Sequence, residues 1–292
     1  MQVGLSVYSL FGAIHRKEMN VLDAVRLAAE WGADCVELVD FVLPAEDADF
    51  SAALGDVLKA TGLTVSSYCT GINVLGVTAA ERAAAMAKVK AKIDFAHSVG
   101  TKVFRSDLAG GRNAAECGAV AFDADLPALV EAAQELADYA KPRGITITAE
   151  NHGIYVNGAD RLQRLVAMTD RDNYGCTLDV GNCLCVDEDA YAFTNTLLPC
   201  AKAVHFKDFL VRQATGDAAR DPAGRANWLT TRGGNFLRGT IVGDGDIETA
   251  AVMGLLKQAN FNGPVIVEFE GPEACVAGAK ASLAYVKTIA GA

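Results

Sequence analysis

The sequence predicts a single closed barrel of eight parallel strands, each followed by a helix: the (β/α)8 TIM barrel. Three observations carry this. Strand-like and helix-like stretches alternate strictly along the chain, and such alternation implies a parallel sheet. Eight strand–helix units fit into 292 residues, the size of one such barrel. No GxGxxG follows the first strand-like run, which argues against the alternative, a doubly wound open sheet that binds dinucleotides. Residues 1–292 read as one domain without linker or repeat beyond the unit itself, carrying a long loop insertion at about 210–245.

Taken in order, residues 2–8 form the first strand. Residues 21–31 form a helix with Val21, Val25, Ala28 and Ala29 on one face, ended by Gly32. Residues 35–39 are the second strand; 47–60 are a helix closed by Gly62, and 64–68 are the third strand. Residues 78–100 carry a capping box, Thr78 with Glu81. Met86, Val89, Ile93 and Ala96 follow there at helical spacing, and Gly100 stops the helix. Residues 102–105 are the fourth strand, followed by a Gly-rich loop at 109–118. Residues 124–140 are a helix ended by Pro142 and Gly144. Strands at 145–150, 174–179 and 203–206 then alternate with helices at 159–169 and 188–198. Residues 210–245 show little periodicity, and a loop this long is usually a functional lid or a disordered segment. Asp246 reads as the N-cap of a helix at 247–260. Residues 265–269 are the last strand and 273–290 the last helix, with Pro272 near its first turn.

Composition narrows the function classes. Apolar residues make up 51% of the chain and mean hydropathy is +0.19, ample for a large core. A net charge of −10 and a pI near 4.9 repel phosphate backbones, and no basic patch offsets them, so nucleic acid is not an expected partner. No apolar run reaches the roughly 18–20 residues that span a bilayer, so no membrane segment is expected. The eight cysteines are scattered, and Cys35 and Cys176 fall inside predicted strands. Cys183 and Cys185 form CxC rather than a zinc-finger spacing. With an opening that reads as a strand and not as a secretory signal, reduced thiols in a cytoplasmic protein are expected. A homo-oligomer, dimer or tetramer, is the expected assembly.

Four strand ends carry the chemistry. The runs ITITAENHG, CTLDVGN, AVHFKDF and PVIVEFEG each begin apolar or β-branched and end polar. In such barrels the active site gathers at the carboxyl ends of the strands. Side chains alternate with period two. Thus Ile145, Ile147 and Ala149 share one face while Thr146, Thr148 and Glu150 share the other; Val204 and Phe206 oppose His205 and Lys207, and Val265, Val267 and Phe269 oppose Ile266, Glu268 and Glu270. If the apolar sets face the helices, Glu150, Asp179, His205 and Glu268 aim into one volume. A one-residue register slip would break that convergence. Three carboxylates and an imidazole suit a divalent metal ion. His152, Lys207, Glu37, Arg105 and Asp107 are candidate substrate contacts, and Glu270 is an alternative carboxylate ligand. His15 could line the mouth; His97 reads as structural.

At these residues the chain resembles the xylose-isomerase-like TIM-barrel superfamily, and within it the sugar phosphate isomerase/epimerase branch. The resemblance covers essentially the whole chain and rests on VEL (Val36 to Leu38), AENHG, LDVGN, HFKDF, VGDGDIE and VEFEG. It implies that Glu150, Asp179, His205 and Glu268 are the metal ligands, with Mn²⁺ the first expectation and Mg²⁺, Co²⁺ or Zn²⁺ the others. Ketose 3-epimerases of the family carry a His three residues after the metal Asp; here Asn182 stands there, and it joins the expected substrate contacts. The family's AP endonucleases need three zinc ions and more histidines than the four of this acidic chain. The implied activity is isomerisation or epimerisation of a ketose, keto-sugar or related polyol. Glu150 and Glu268 would move the proton beside the carbonyl, through an enediolate held at the metal. The alternative is a lyase of the same fold, an inosose-type dehydratase or a 3-keto-glycoside eliminating enzyme. A non-catalytic sugar-binding barrel is the third reading.

Overall fold

The computed structural model describes residues 1–110, 116–217 and 219–291. Its barrel strands are β1 (Gln2–Ser6), β2 (Cys35–Val39), β3 (Thr64–Gly71), β4 (Val103–Asp107), β5 (Thr146–Glu150), β6 (Tyr174–Asp179), β7 (Ala201–Phe206) and β11 (Pro264–Val267). They close in the order β1-β11-β7-β6-β5-β4-β3-β2, each pair parallel. The helices are α1 (Phe11–His15), α2 (Val21–Glu30), α3 (Ala48–Thr61), α4 (Ala79–Ser98), α5 (Ala119–Ala140), α6 (Ala159–Thr169), α7 (Ala190–Leu197), α8 (Thr249–Gln258) and α9 (Cys275–Ala290). The predicted (β/α)8 barrel is the observed fold.

Local chemistry explains the boundaries. Asn20 and Thr78 close capping boxes with Asp23 and Glu81 at the starts of α2 and α4. Gly62, with φ of +75°, ends α3 in the left-handed region that glycine enters without a Cβ clash. The apolar faces of the strands, such as Ile147, Leu178, Val204, Phe206, Val265 and Val267, are buried in one core with the helices. Gly4 lets the foot of the barrel close. A Cβ there would lie 2.6 Å from the Cys35 carbonyl oxygen and 2.8 Å from Ile266.

Several expectations need correction. β4 runs to Asp107, past the expected end at Arg105, so Asp107 is inside the strand and not in the loop after it. The Gly-rich loop at 109–118 lies partly outside the described residues. Asp246 caps no helix: its carboxylate accepts from the Val211 amide at 2.6 Å, and α8 starts at Thr249.

The stretch at 210–245 is not a plain loop. β8 (Asp208–Arg212), β9 (Leu229–Thr230) and β10 (Phe236–Thr240) form a separate antiparallel sheet in the order β8-β10-β9. Asp187, in the turn between β6 and α7, fastens it. One carboxylate oxygen accepts from Thr231 Oγ1 at 2.7 Å and Asn235 Nδ2 at 2.8 Å, and the other from the Gly233 amide at 2.7 Å. No described helix is long and apolar enough to cross a membrane.

Candidate metal centre and active site

Strand register brings the four polar ends together. Asp179 lies opposite His205, Ile266 lies opposite His205 on the other flank, and Glu150 lies opposite Thr177. Glu268 stands just past β11, where its amide continues the ladder to the Phe206 carbonyl at 3.0 Å. One ligand atom each from Glu150, Asp179, His205 and Glu268 lies within 4.8 Å of the others, and all four residues are buried.

The donor set fits a divalent cation. Among the described residues, the buried His205 Nδ1 and Asp179 Oδ2 have no hydrogen-bond partner, Asp179 Oδ2 being ion-paired with Lys207 Nζ at 3.2 Å, and buried polar atoms are costly unless something occupies them. Both face the cluster: Nδ1 is 3.2 Å from Glu150 Oε1, 3.9 Å from Asp179 Oδ2 and 3.8 Å from Glu268 Oε1. Three carboxylates with one imidazole match the oxygen-rich preference of Mg²⁺ and Mn²⁺ while remaining acceptable to Co²⁺ and Zn²⁺.

The electrostatics show what crowding does there. Burial pushes Asp179 up to about 7; Lys207 opposes the shift, while Glu150 and Glu268 add to it. Burial also disfavours a charged Glu150, but Arg105 and then His205 override it and hold that carboxyl well below its ordinary range. Arg105 Nη1 is 2.8 Å from Glu150 Oε2, and Lys207 Nζ is 2.7 Å from Glu268 Oε2 and 3.2 Å from Asp179 Oδ2. Each flanking carboxylate therefore has its own cation.

Glu37 is not where the sequence reading put it. It is fully buried behind the His205 ring, its Oε2 2.9 Å from Nε2 and 2.7 Å from the donating Ser67 hydroxyl. Burial opposes its ionisation, yet His205 brings it down to about 2. A carboxylate on the rear nitrogen fixes the ring so that Nδ1 faces the cluster. Glu37→Gln is expected to weaken divalent-metal affinity by about 10–100-fold. Titration of chelator-treated protein with Mn²⁺ checks this, and an unchanged dissociation constant would remove that role.

Asn182 is also turned toward the carboxylates. Its Nδ2 donates to Glu150 Oε1 at 3.3 Å and its amide to Asp179 Oδ1 at 2.7 Å, and the residue is 4% exposed. Arg105 and Lys207 reach the site through the carboxylates they pair with, and both line the cavity. His152 is the most open of the predicted contacts, its side chain 58% exposed, with Nδ1 held 2.9 Å from Asp107 Oδ2. The cavity holds about 250 Å³, with Tyr8, Phe41, Arg105, His152, Lys207 and Glu270 among its walls. A neighbouring cleft of about 320 Å³ shares Glu150 and His152. His15 packs against Phe11 and lines neither space.

Three contributors escaped the sequence reading. Asn151 grips the Asp179 backbone at both ends, Nδ2 to the carbonyl and Oδ1 from the amide, each at 2.8 Å. Its signal was the middle letter of ENH. Tyr8, which follows β1 in a 3-10 turn (Val7–Leu10), donates its hydroxyl to Glu270 Oε1 at 2.8 Å. Phe41 leaves no sequence signal; it reaches the mouth by stacking edge-on against Tyr8.

The chain is similar to several known proteins. An inosose dehydratase of Lacticaseibacillus casei is 30% identical over 139 residues, 47% of this chain and 44% of that protein, so the match spans less than half of the relative. The fold is shared with the 3-keto-D-glucoside 4-epimerase YcjR of E. coli (18% identity, TM-score 0.72, 99% of each chain). It is shared equally with the zinc-bound IOLI protein (16% identity, TM-score 0.76, 99% of this chain and 98% of that one). The family model described as xylose isomerase-like TIM barrel matches residues 25–289, and the chain belongs to that family.

Proposed function

We propose that this protein is a divalent-metal-dependent isomerase or epimerase of a small ketose, keto-sugar or related polyol, with Mn²⁺ the first candidate ion. One observation carries the reading. Glu150 and Glu268 stand three strands apart in the barrel order, β5-β6-β7-β11, so they face one volume from different sides.

A cation held by Glu150, Asp179, His205 and Glu268 would polarise the substrate carbonyl as a Lewis acid. Glu150, kept ionised beside Arg105, removes the proton from the carbon next to that carbonyl. Burial works against the Lys207 ammonium, but Asp179, Glu268 and Glu270 hold its pKa well above the ordinary value, so it stays charged beside Glu268. Glu268, which faces the same volume from the other side, in its protonated form returns a proton at the opposite face or at the neighbouring carbon. Lys207 also meets the negative charge that develops on the enediolate oxygens. The buried setting of all these groups strengthens each interaction.

A lyase on the same chemistry is the second reading. It is supported by the inosose dehydratase relative and by the His152–Asp107 pair, which leaves the exposed imidazole edge available to protonate a departing hydroxyl. Incubating Mn²⁺-loaded protein with a panel of ketoses and inososes in D₂O separates the two. Deuterium in recovered substrate or its epimer marks the isomerase; an unsaturated, dehydrated product marks the lyase. If no exchange occurs and no divalent ion binds stoichiometrically, both fail and a sugar-binding barrel remains.

A further inference from the structure

Toward the amino ends of β6 and β7, away from the proposed metal centre, two thiols touch. Cys176 Sγ and Cys200 Sγ are 3.6 Å apart. Cys176 is the third residue of β6 and fully buried; Cys200 ends the 3-10 turn Leu198–Cys200 that leads into β7 and is half-buried. We propose that these two residues form a reversible disulfide, closed by hydrogen peroxide that is attacked first by the Cys200 sulfur.

The backbone permits the bond. Cys176 pairs in register with Ala201, the neighbour of Cys200. Adjacent strands lie about 4.8 Å apart, so one step along the chain puts the two Cα atoms about 6 Å apart, inside the range that disulfides span. The bond then needs only side-chain rotation to bring the sulfurs together.

The surroundings assign the roles. The Leu197 carbonyl accepts from the Cys200 thiol at 3.1 Å and from the Cys176 thiol at 3.9 Å. The Lys202 stem crosses Gly175, so close that a Cβ there would lie 2.6 Å from Lys202 Cγ. The Cys176 thiol, with Lys202 assisting, lowers the Cys200 thiol, while Cys176 itself is held well above its ordinary range. Cys200 is thus the attacking thiolate and Cys176 the resolving thiol. The Cys200 sulfur bonds to one peroxide oxygen as the O–O bond breaks. The departing oxygen leaves as water with the proton that Cys200 lost, and Cys200 is left as a sulfenic acid. Cys176 sulfur then bonds to Cys200 sulfur, the S–O bond breaks, and hydroxide departs as a second water with the Cys176 proton. The two thiols lose two electrons in total and the peroxide gains them.

The experiment treats the full-length reduced protein with hydrogen peroxide, alkylates with iodoacetamide and maps the peptides by mass. The expected result is a cross-linked pair containing Cys176 and Cys200, lighter by two hydrogens and cleaved again by dithiothreitol. Cys176→Ser should leave Cys200 as a sulfenic acid that dimedone traps, and Cys275→Ser should keep the cross-link. Alkylation of all eight cysteines after peroxide, or a cross-link that joins other cysteines, would overturn the proposal. The wild-type map decides the matter even if a variant fails to fold.

Discussion

Glu268→Gln is expected to lower turnover by on the order of 10²–10⁴-fold, the usual worth of one general acid or base, and Glu150→Gln by a similar factor. The two losses should differ in kind. Glu150 carries the Arg105 ion pair and the Asn182 contact, so its loss should also stop the first deprotonation, read as deuterium wash-in. Glu268 is paired with Lys207. Its loss should leave some wash-in while product formation falls, because the proton can still be removed but is not returned productively. Both residues also belong to the proposed metal shell, so bound metal must be measured beside each rate. A retained rate in both variants with metal at wild-type stoichiometry would sink the assignment of these carboxylates.

Asp208→Ala is expected to cost about 3–4 kcal/mol of stability, large for a single substitution. The carboxylate is 1% exposed and gathers four backbone amides. One oxygen accepts from Phe209 at 2.9 Å and Ile247 at 3.3 Å, the other from Gly243 at 2.9 Å and Gly245 at 3.1 Å. Each buried donor left without a partner costs about 1–3 kcal/mol. Gly243 is exposed and Gly245 half-buried, so water restores part of the loss, which sets the estimate below the full sum. Gly245 has no room for a side chain: a Cβ would lie 2.0 Å from Asp208 Oδ1. Urea unfolding measures the effect, with the midpoint falling at unchanged slope. A change within about 0.5 kcal/mol, the range of ordinary surface substitutions, would show that the turn does not depend on this carboxylate.

Asp208 also explains a pairing of motifs. HFKD and VGDGDIE lie far apart in sequence, and neither names the other as partner. The structure joins them through one carboxylate. The same holds for Asp187, which reads as an ordinary turn residue yet fastens the inserted sheet. The sheet itself was illegible because β8 pairs with β10 across residues 213–235, which carry little apolar periodicity, and β9 is only 2 residues long. Antiparallel pairing of that kind is decided by partners distant in sequence.

The sequence by itself determined the alternation of strands and helices, and with it the closed parallel barrel. It also determined which side chains point inward on each strand, because the period of two is a property of the extended backbone. With the strands in register, that brings Glu150, Asp179, His205 and Glu268 together. Only the tertiary structure decided what stands behind and beside them. Glu37 is a strand residue like the others, yet the register of β2 against β3, with its shift between Val36 and Glu37, places it against the back of His205 and not at the mouth. Asn182 turns to the carboxylates because Asp179 accepts its amide. Cys176 meets Cys200 because β6 and β7 are neighbours. Which way a side chain faces follows from local geometry, but which residue it meets depends on strand register and loop closure, and these are settled by contacts between residues far apart in the chain.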